Sequence, residues 1–205
     1  FINDMSKARS MTPCDPNPPG TPPSAAPAHR IVTSQHLVSA RSPELSEVEF
    51  GLAIVGNAYE RWLVRCMASA GQPELGALDV LVLHHVNSQQ QEKKLADVCF
   101  VLNVEDTHVV SYALKKLVGL GLLEGAKRGK EVFFRTTDAG RNACERYRRV
   151  REACLMPGFG GSADENARLG ELAALLRTLS GRYDQAARAA AAAVYDKAPP
   201  APPQA

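Results

Sequence analysis

The sequence predicts a mainly α-helical chain carrying one small β-hairpin, and three features carry that expectation. Apolar residues recur at three- and four-residue steps over most of the stretch from Pro43 to Tyr195. The period changes once, at LLEGAKRGKEVFFRT, where glycines and a β-branched, aromatic run replace helical spacing. Just before that change, two short amphipathic stretches lie only a turn apart.

With 205 residues the chain has room for one domain plus extensions. Its hydrophobic content, 45%, is ordinary for a globular protein. No apolar run approaches the ~20 residues of a membrane helix, so no membrane partner is expected. The opening FINDMSKARSMTP lacks the build of a secretory signal, and because it begins with Phe the true start residue is open. Cys14, Cys66, Cys99, Cys144 and Cys154 are odd in number, widely spread and without a CxxC pair. They fit neither a disulfide framework nor a zinc site, and a reducing, cytoplasmic compartment is expected. Net charge is only +2, but it is unevenly spread. Between Gln91 and Arg151, Lys and Arg outnumber Asp and Glu by 13 to 8, so the flanks are acidic. A basic middle is a modest footprint for phosphate binding.

Residues 1–41 read as a disordered arm, because MTPCDPNPPGTPPSAAPA holds almost no large apolar side chain. Residues 198–205 read as a tail of the same kind, leaving 42–197 to build the fold. A long helix is expected from Pro43 to Ala70. Pro43 suits its start, Glu44, Glu47 and Glu49 suit its positive end, and Gly71 ends it. A second helix, Leu75 to Val86, is apolar nearly all round and should lie deep. A third, Glu92 to Leu102, is followed after a turn by the stretch Asn103–Gly121. Two short helices joined so tightly make a helix-turn-helix.

That stretch, NVEDTHVVSYALKKLVGLG, has two faces. Val110, Leu114 and Leu117 form a buried stripe, while His108, Ser111, Tyr112 and Lys115 fall on the other side. Asn103 is the expected N-cap, answered by Asp106 as in a capping box, and Gly121 is the stop. A short helix that shows hydrogen-bonding, mostly uncharged side chains could lie in a DNA major groove. After it, Gly125 and Gly129 bracket a basic turn with Lys127, Arg128 and Lys130 at the tip of a hairpin. Thr137 can cap the next helix, which runs to about Cys154 and is rich in Arg. MPGFGGSADE reads as a loop. The last helix, about Glu165 to Tyr195, carries Leu169, Leu172, Leu176, Leu179, Tyr183, Ala186, Ala190 and Val194 as a seam that wants a partner helix.

The element order is that of a winged helix-turn-helix with long N- and C-terminal helices. At LDVLVLHHV, KKLADVCFVL, VVSYALKKLVGLGLLE and TDAGR, together about residues 76–141, the sequence resembles the MarR family of bacterial transcription regulators. The resemblance implies a homodimer on double-stranded DNA, with a recognition helix of about Val104 to Val118 in the major groove. It sets Thr107, His108, Ser111, Tyr112 and Lys115 toward the groove, with Lys116 beside them to neutralise phosphate. Lys127, Arg128 and Lys130 fall on the wing tip and Arg135 on the return strand. The flanking helices become dimerisation elements, with Leu52, Val55 and Tyr59 on the first and Leu169, Leu172, Leu176, Leu179 and Tyr183 on the last. An unidentified small-molecule effector that relieves DNA binding is also implied. KRGKE replaces the family's usual Asp-Arg pair before the second wing strand, and Thr136 stands where Leu is usual.

The residues bear on other chemistries as well. Adjacent His84 and His85 point about 100° apart on a helix and lack a third ligand at a convincing spacing, so packing or capping is favoured over a metal site. Cys66 beside Arg65 and Cys144 near Arg141 are the candidates for a redox thiol, but buried structural cysteine is favoured. No phosphate loop, GxSxG or HExxH occurs, and no enzyme or cofactor is expected. The alternative to DNA binding is a winged-helix protein-interaction module, because Glu105 and Asp106 open the recognition helix where phosphates would approach.

Overall fold

A computed structural model describes His36 and residues 38–194. Most of the N-terminal arm, the C-terminal tail, Cys14, Tyr195 and the side chains of Gln90 and Val194 lie outside the described residues. The described residues fall into two compact units, divided between Gly56 and Asn57. In the first, a Ser39–Ser42 bridge precedes the opening turns of α1 (Leu45–Ser69), and the buried Ser46 hydroxyl donates to Pro43 O at 3.5 Å.

The second unit holds the rest of α1 and everything after it. In order come α2 (Ala77–Asn87), β1 (Lys93–Lys94), α3 (Leu95–Leu102), α4 (Thr107–Gly119), β2 (Leu123–Arg128), β3 (Glu131–Thr136), α5 (Asp138–Cys154) and α6 (Ala163–Val194). Its core gathers Leu63, Cys66 and Met67 of α1, Val80, Leu83 and Val86 of α2, Val98 of α3, and Val110, Leu114 and Leu117 of α4. Val110, Leu114 and Leu117 are the stripe that the apolar periodicity picks out in α4. Each fully buried Val or Leu contributes about 1.5–3 kcal/mol relative to exposure. α5 closes the core with Ala143, Cys144 and Tyr147. Arg146 Nε donates to Ala70 O at 2.6 Å, tying α5 to the end of α1.

Three local expectations are corrected. The third helix begins at Leu95, not Glu92, because Lys93 and Lys94 form a strand that pairs with Phe134 and Phe133. Lys94 then serves as the N-cap, its amide donating to the Asp97 carboxylate at 3.1 Å. Asn103 does not cap α4. It ends α3 in the left-handed conformation (φ 52°, ψ 47°), which Asn tolerates better than most residues. The N-cap of α4 is Asp106, whose carboxylate accepts from His108 N at 2.8 Å. Finally, the last helix starts at Ala163, inside the segment read as a loop, with the Ser162 hydroxyl accepting from Glu165 N.

The sheet has the order β1-β3-β2 with both pairings antiparallel. Thr137 caps α5 as expected, accepting from Gly140 N at 3.1 Å. Its hydroxyl also donates to Gly121 O at 2.7 Å, joining the start of α5 to the end of α4. Gly140 is required there, since a Cβ at that position would stand 2.1 Å from Leu122 O.

Candidate nucleic-acid interface

α4 buries Val110, Ala113, Leu114 and Leu117 and leaves the opposite face in solvent. Thr107, His108 and Lys115 are exposed, Ser111 is half-buried, and Tyr112 is 72% exposed. Because Asp106 is occupied by the cap, only Glu105 remains as an exposed carboxylate without a capping role at this helix start. Lys116 turns the other way. Its ammonium contacts Asp79 Oδ2 at 2.6 Å and donates to Glu74 O at 2.7 Å, pinning α4 to the start of α2. Its charge is thus paired with a carboxylate of the fold, unlike that of Lys115.

The hairpin differs from expectation in its register. β2 runs through Lys127 and Arg128, so the tip is only Gly129-Lys130, with Gly129 at φ +63°. A two-residue turn needs such a residue at its first position. Side chains alternate across the strands. The pairs Arg128–Glu131, Ala126–Phe133 and Glu124–Arg135 therefore share one face, and Lys127, Val132 and Phe134 share the other.

The first of these faces is internally neutralised. Arg128 grips Glu92 through its two terminal guanidinium nitrogens, at 2.7 and 2.8 Å. Lys94 Nζ contacts both oxygens of Glu131, at 2.8 and 3.0 Å, and this hydrogen bond raises the Lys94 pKa above its ordinary value. Arg135 pairs with Glu124 at 2.7 Å. The Phe133 ring carries Lys94 5.2 Å and Arg128 5.0 Å from its centroid. Glu92, Lys94 and Glu131 were not singled out from the sequence. Their signal was the alternation of charge in EKK and in KRGKE.

The second face looks toward α4. A cleft of about 420 Å³ opens between the first turn of α3, α4 and the hairpin, lined by Lys94, Ser111, Lys115, Lys130, Val132 and Phe134 among others. Lys115, Lys127 and Lys130 make no ion pair among the described residues. The structure thus brings Ser111, Lys115 and Lys130 together at one cleft, while Arg128 and Arg135 belong to the neutralised face.

The histidine and cysteine candidates lie elsewhere in the fold. His84 stacks edge-on against Tyr147 with ring centroids 4.5 Å apart. Both His84 Nε2 and His85 Nε2 are buried without a hydrogen-bond partner, and burial lowers both pKa values. No group of three metal-binding side chains occurs among the described residues. Burial raises the Cys66 pKa and pushes that of Cys144 up to about 11, so neither holds a thiolate at neutral pH. Cys154 is exposed. Among the described residues no helix is long and apolar enough to cross a membrane.

Residues 75–140 match the family model of a winged helix DNA-binding domain. The fold is similar to that of solved MarR-family regulators. One from Rhodococcus sp. RHA1 is 16% identical, with a TM-score of 0.55 over 66% of this chain and 94% of that one. A mutant MarR from E. coli complexed with operator DNA is 20% identical, with a TM-score of 0.54 over 67% and 99%. CouR from Rhodococcus jostii RHA1, bound to p-coumaroyl-CoA, is 16% identical, with a TM-score of 0.54 over 65% and 91%. No curated protein sequence matches the chain. The chain is a winged helix that resembles the MarR-family regulators.

Proposed function

We propose that the protein is a homodimeric, cytoplasmic, DNA-binding transcription regulator, and not an enzyme, that reads double-stranded DNA with α4. The observation that carries this is the polar face of α4, where Lys115 and Lys130 line one cleft and, like Lys127 on the same hairpin, have no ion-pair partner among the described residues. Thr107, His108, Ser111 and Tyr112 supply donors and acceptors for base edges in the major groove. Lys115, Lys127 and Lys130 neutralise phosphates and set register. Dimerisation runs through the apolar residues of α6 and through Leu52, Val55 and Tyr59 of α1. Relief by a small molecule is part of the proposal. Its support is the likeness in fold to a regulator bound to p-coumaroyl-CoA.

The test is a fluorescence anisotropy titration of labelled duplex DNA, of mixed sequence and from the protein's own promoter, at two salt concentrations. The expected result is binding whose logarithm falls with log salt by about 0.9 for each phosphate contacted, and tighter on promoter DNA. Binding to duplex no stronger than to an acidic polymer would favour the protein-interaction module instead.

A further inference from the structure

We propose that Glu92, Lys94, Arg128 and Glu131 are positioning residues that clamp the wing to the chain leading into α3, the first helix of the helix-turn-helix, so that Arg128 sets the wing's angle and does not contact DNA. The inference rests on the DNA-binding reading above and sharpens which cations perform it. Two ion pairs of opposite polarity join the chain ahead of α3 to the hairpin. Glu92, ahead of β1, holds Arg128 of β2, and Lys94 of β1 holds Glu131 of β3. The Glu92–Arg128 pair is a two-pronged fork, which fixes orientation as well as distance. Both cations also lie against the Phe133 ring, opposite whose position β2 has only Ala126. An Arg engaged by a carboxylate fork and an aromatic ring would have to give up both to reach a phosphate. Lys127 and Lys130, on the far face and at the tip, give up nothing of the kind. The clamp therefore holds the hairpin where Lys130 borders the cleft beside α4 and Lys127 lies on the strand face opposite Arg128.

The substitution Glu92→Gln separates the two roles because simple charge predicts the wrong sign for a positioning residue. Removing a carboxylate near DNA should strengthen binding by electrostatics alone, whereas loss of a clamp weakens it. The full chain carrying Glu92→Gln or Arg128→Lys is expected to bind labelled duplex about threefold to fivefold more weakly, with an unchanged salt slope. Lys127→Ala, the comparator, should instead reduce the slope by about 0.9. Hydrogen exchange of amides 123–136, measured without DNA, should quicken in both clamp variants and stay unchanged in Lys127→Ala. Tighter binding by Glu92→Gln overturns the clamp, as does unaltered hairpin exchange in both clamp variants. If the unmodified chain binds no DNA, the functional reading fails, and the exchange rates still decide whether the clamp exists.

Discussion

Asn103 and Asp106 are both good capping residues, and their three-residue spacing invites a reciprocal cap for one helix. The chain uses them on two helices instead, because Asn103 takes the left-handed conformation that ends α3 and sends its side-chain amide to Ser180 and Asp184 of α6. A residue's type limits its roles, and its tertiary partner selects among them. The same holds for His84. Packed against Tyr147 and desolvated, it stays neutral where an unfolded imidazole would take up a proton, at about 6.5, and His85 is lowered likewise. The unfolded chain then binds more protons just below that pH, so stability present above 6.5 is lost as pH falls through the depressed folded values. Thermal melts from about pH 7.5 down to about pH 5.5 should show a falling midpoint in the unmodified chain and a flatter profile in His84→Gln. Parallel profiles in the two proteins would rule out His84 as the source.

Helices were legible wherever an apolar stripe repeats over several turns, which is why α1, α2, α4 and α5 stand close to their expected places. β1 was not legible because two lysines carry no period. Only pairing with β3 makes them a strand. The Lys116–Asp79 pair was not legible, because Lys116 borders the buried stripe of α4, where polarity alone does not say whether the side chain meets solvent or a carboxylate. The candidate site was legible as a list of cations but not as a division among them, since which face of the hairpin each occupies depends on register. Register also explains the sharpest constraint at an element junction. Thr137 and Gly140 seat the first turn of α5 directly on the chain leaving α4. Placing a methyl 2.1 Å from Leu122 O forces that backbone apart, so Gly140→Ala should lower unfolding free energy by about 1–3 kcal/mol in a denaturant titration. An unchanged midpoint would mean that the junction relaxes freely.

At the scale of the whole molecule, α6 is the element least explained by one copy of the chain. A helix of 32 residues extends about 48 Å. Leu169, Leu172, Leu175, Leu176 and Tyr183 are 36–50% exposed along it, while Leu179 is buried. Scattered exposed apolar residues are normal, but a repeated row at helical spacing is the pattern of a helix that packs on another. A stable interface buries about 1,200–2,000 Å² in total, within reach of two such helices and their flanks. The protein should therefore run as a dimer at micromolar concentration in sedimentation or light scattering. Leu172→Glu with Leu176→Glu places two charges in the seam. Both sites are exposed in the single copy, so the variant should keep its helical circular dichroism while its mass halves. DNA affinity should then fall steeply, because each monomer would engage one half-site without the gain in effective concentration that a second linked reading head provides. A variant that stays dimeric would move the interface off the α6 seam, and a monomeric unmodified chain would remove the dimer from the proposal.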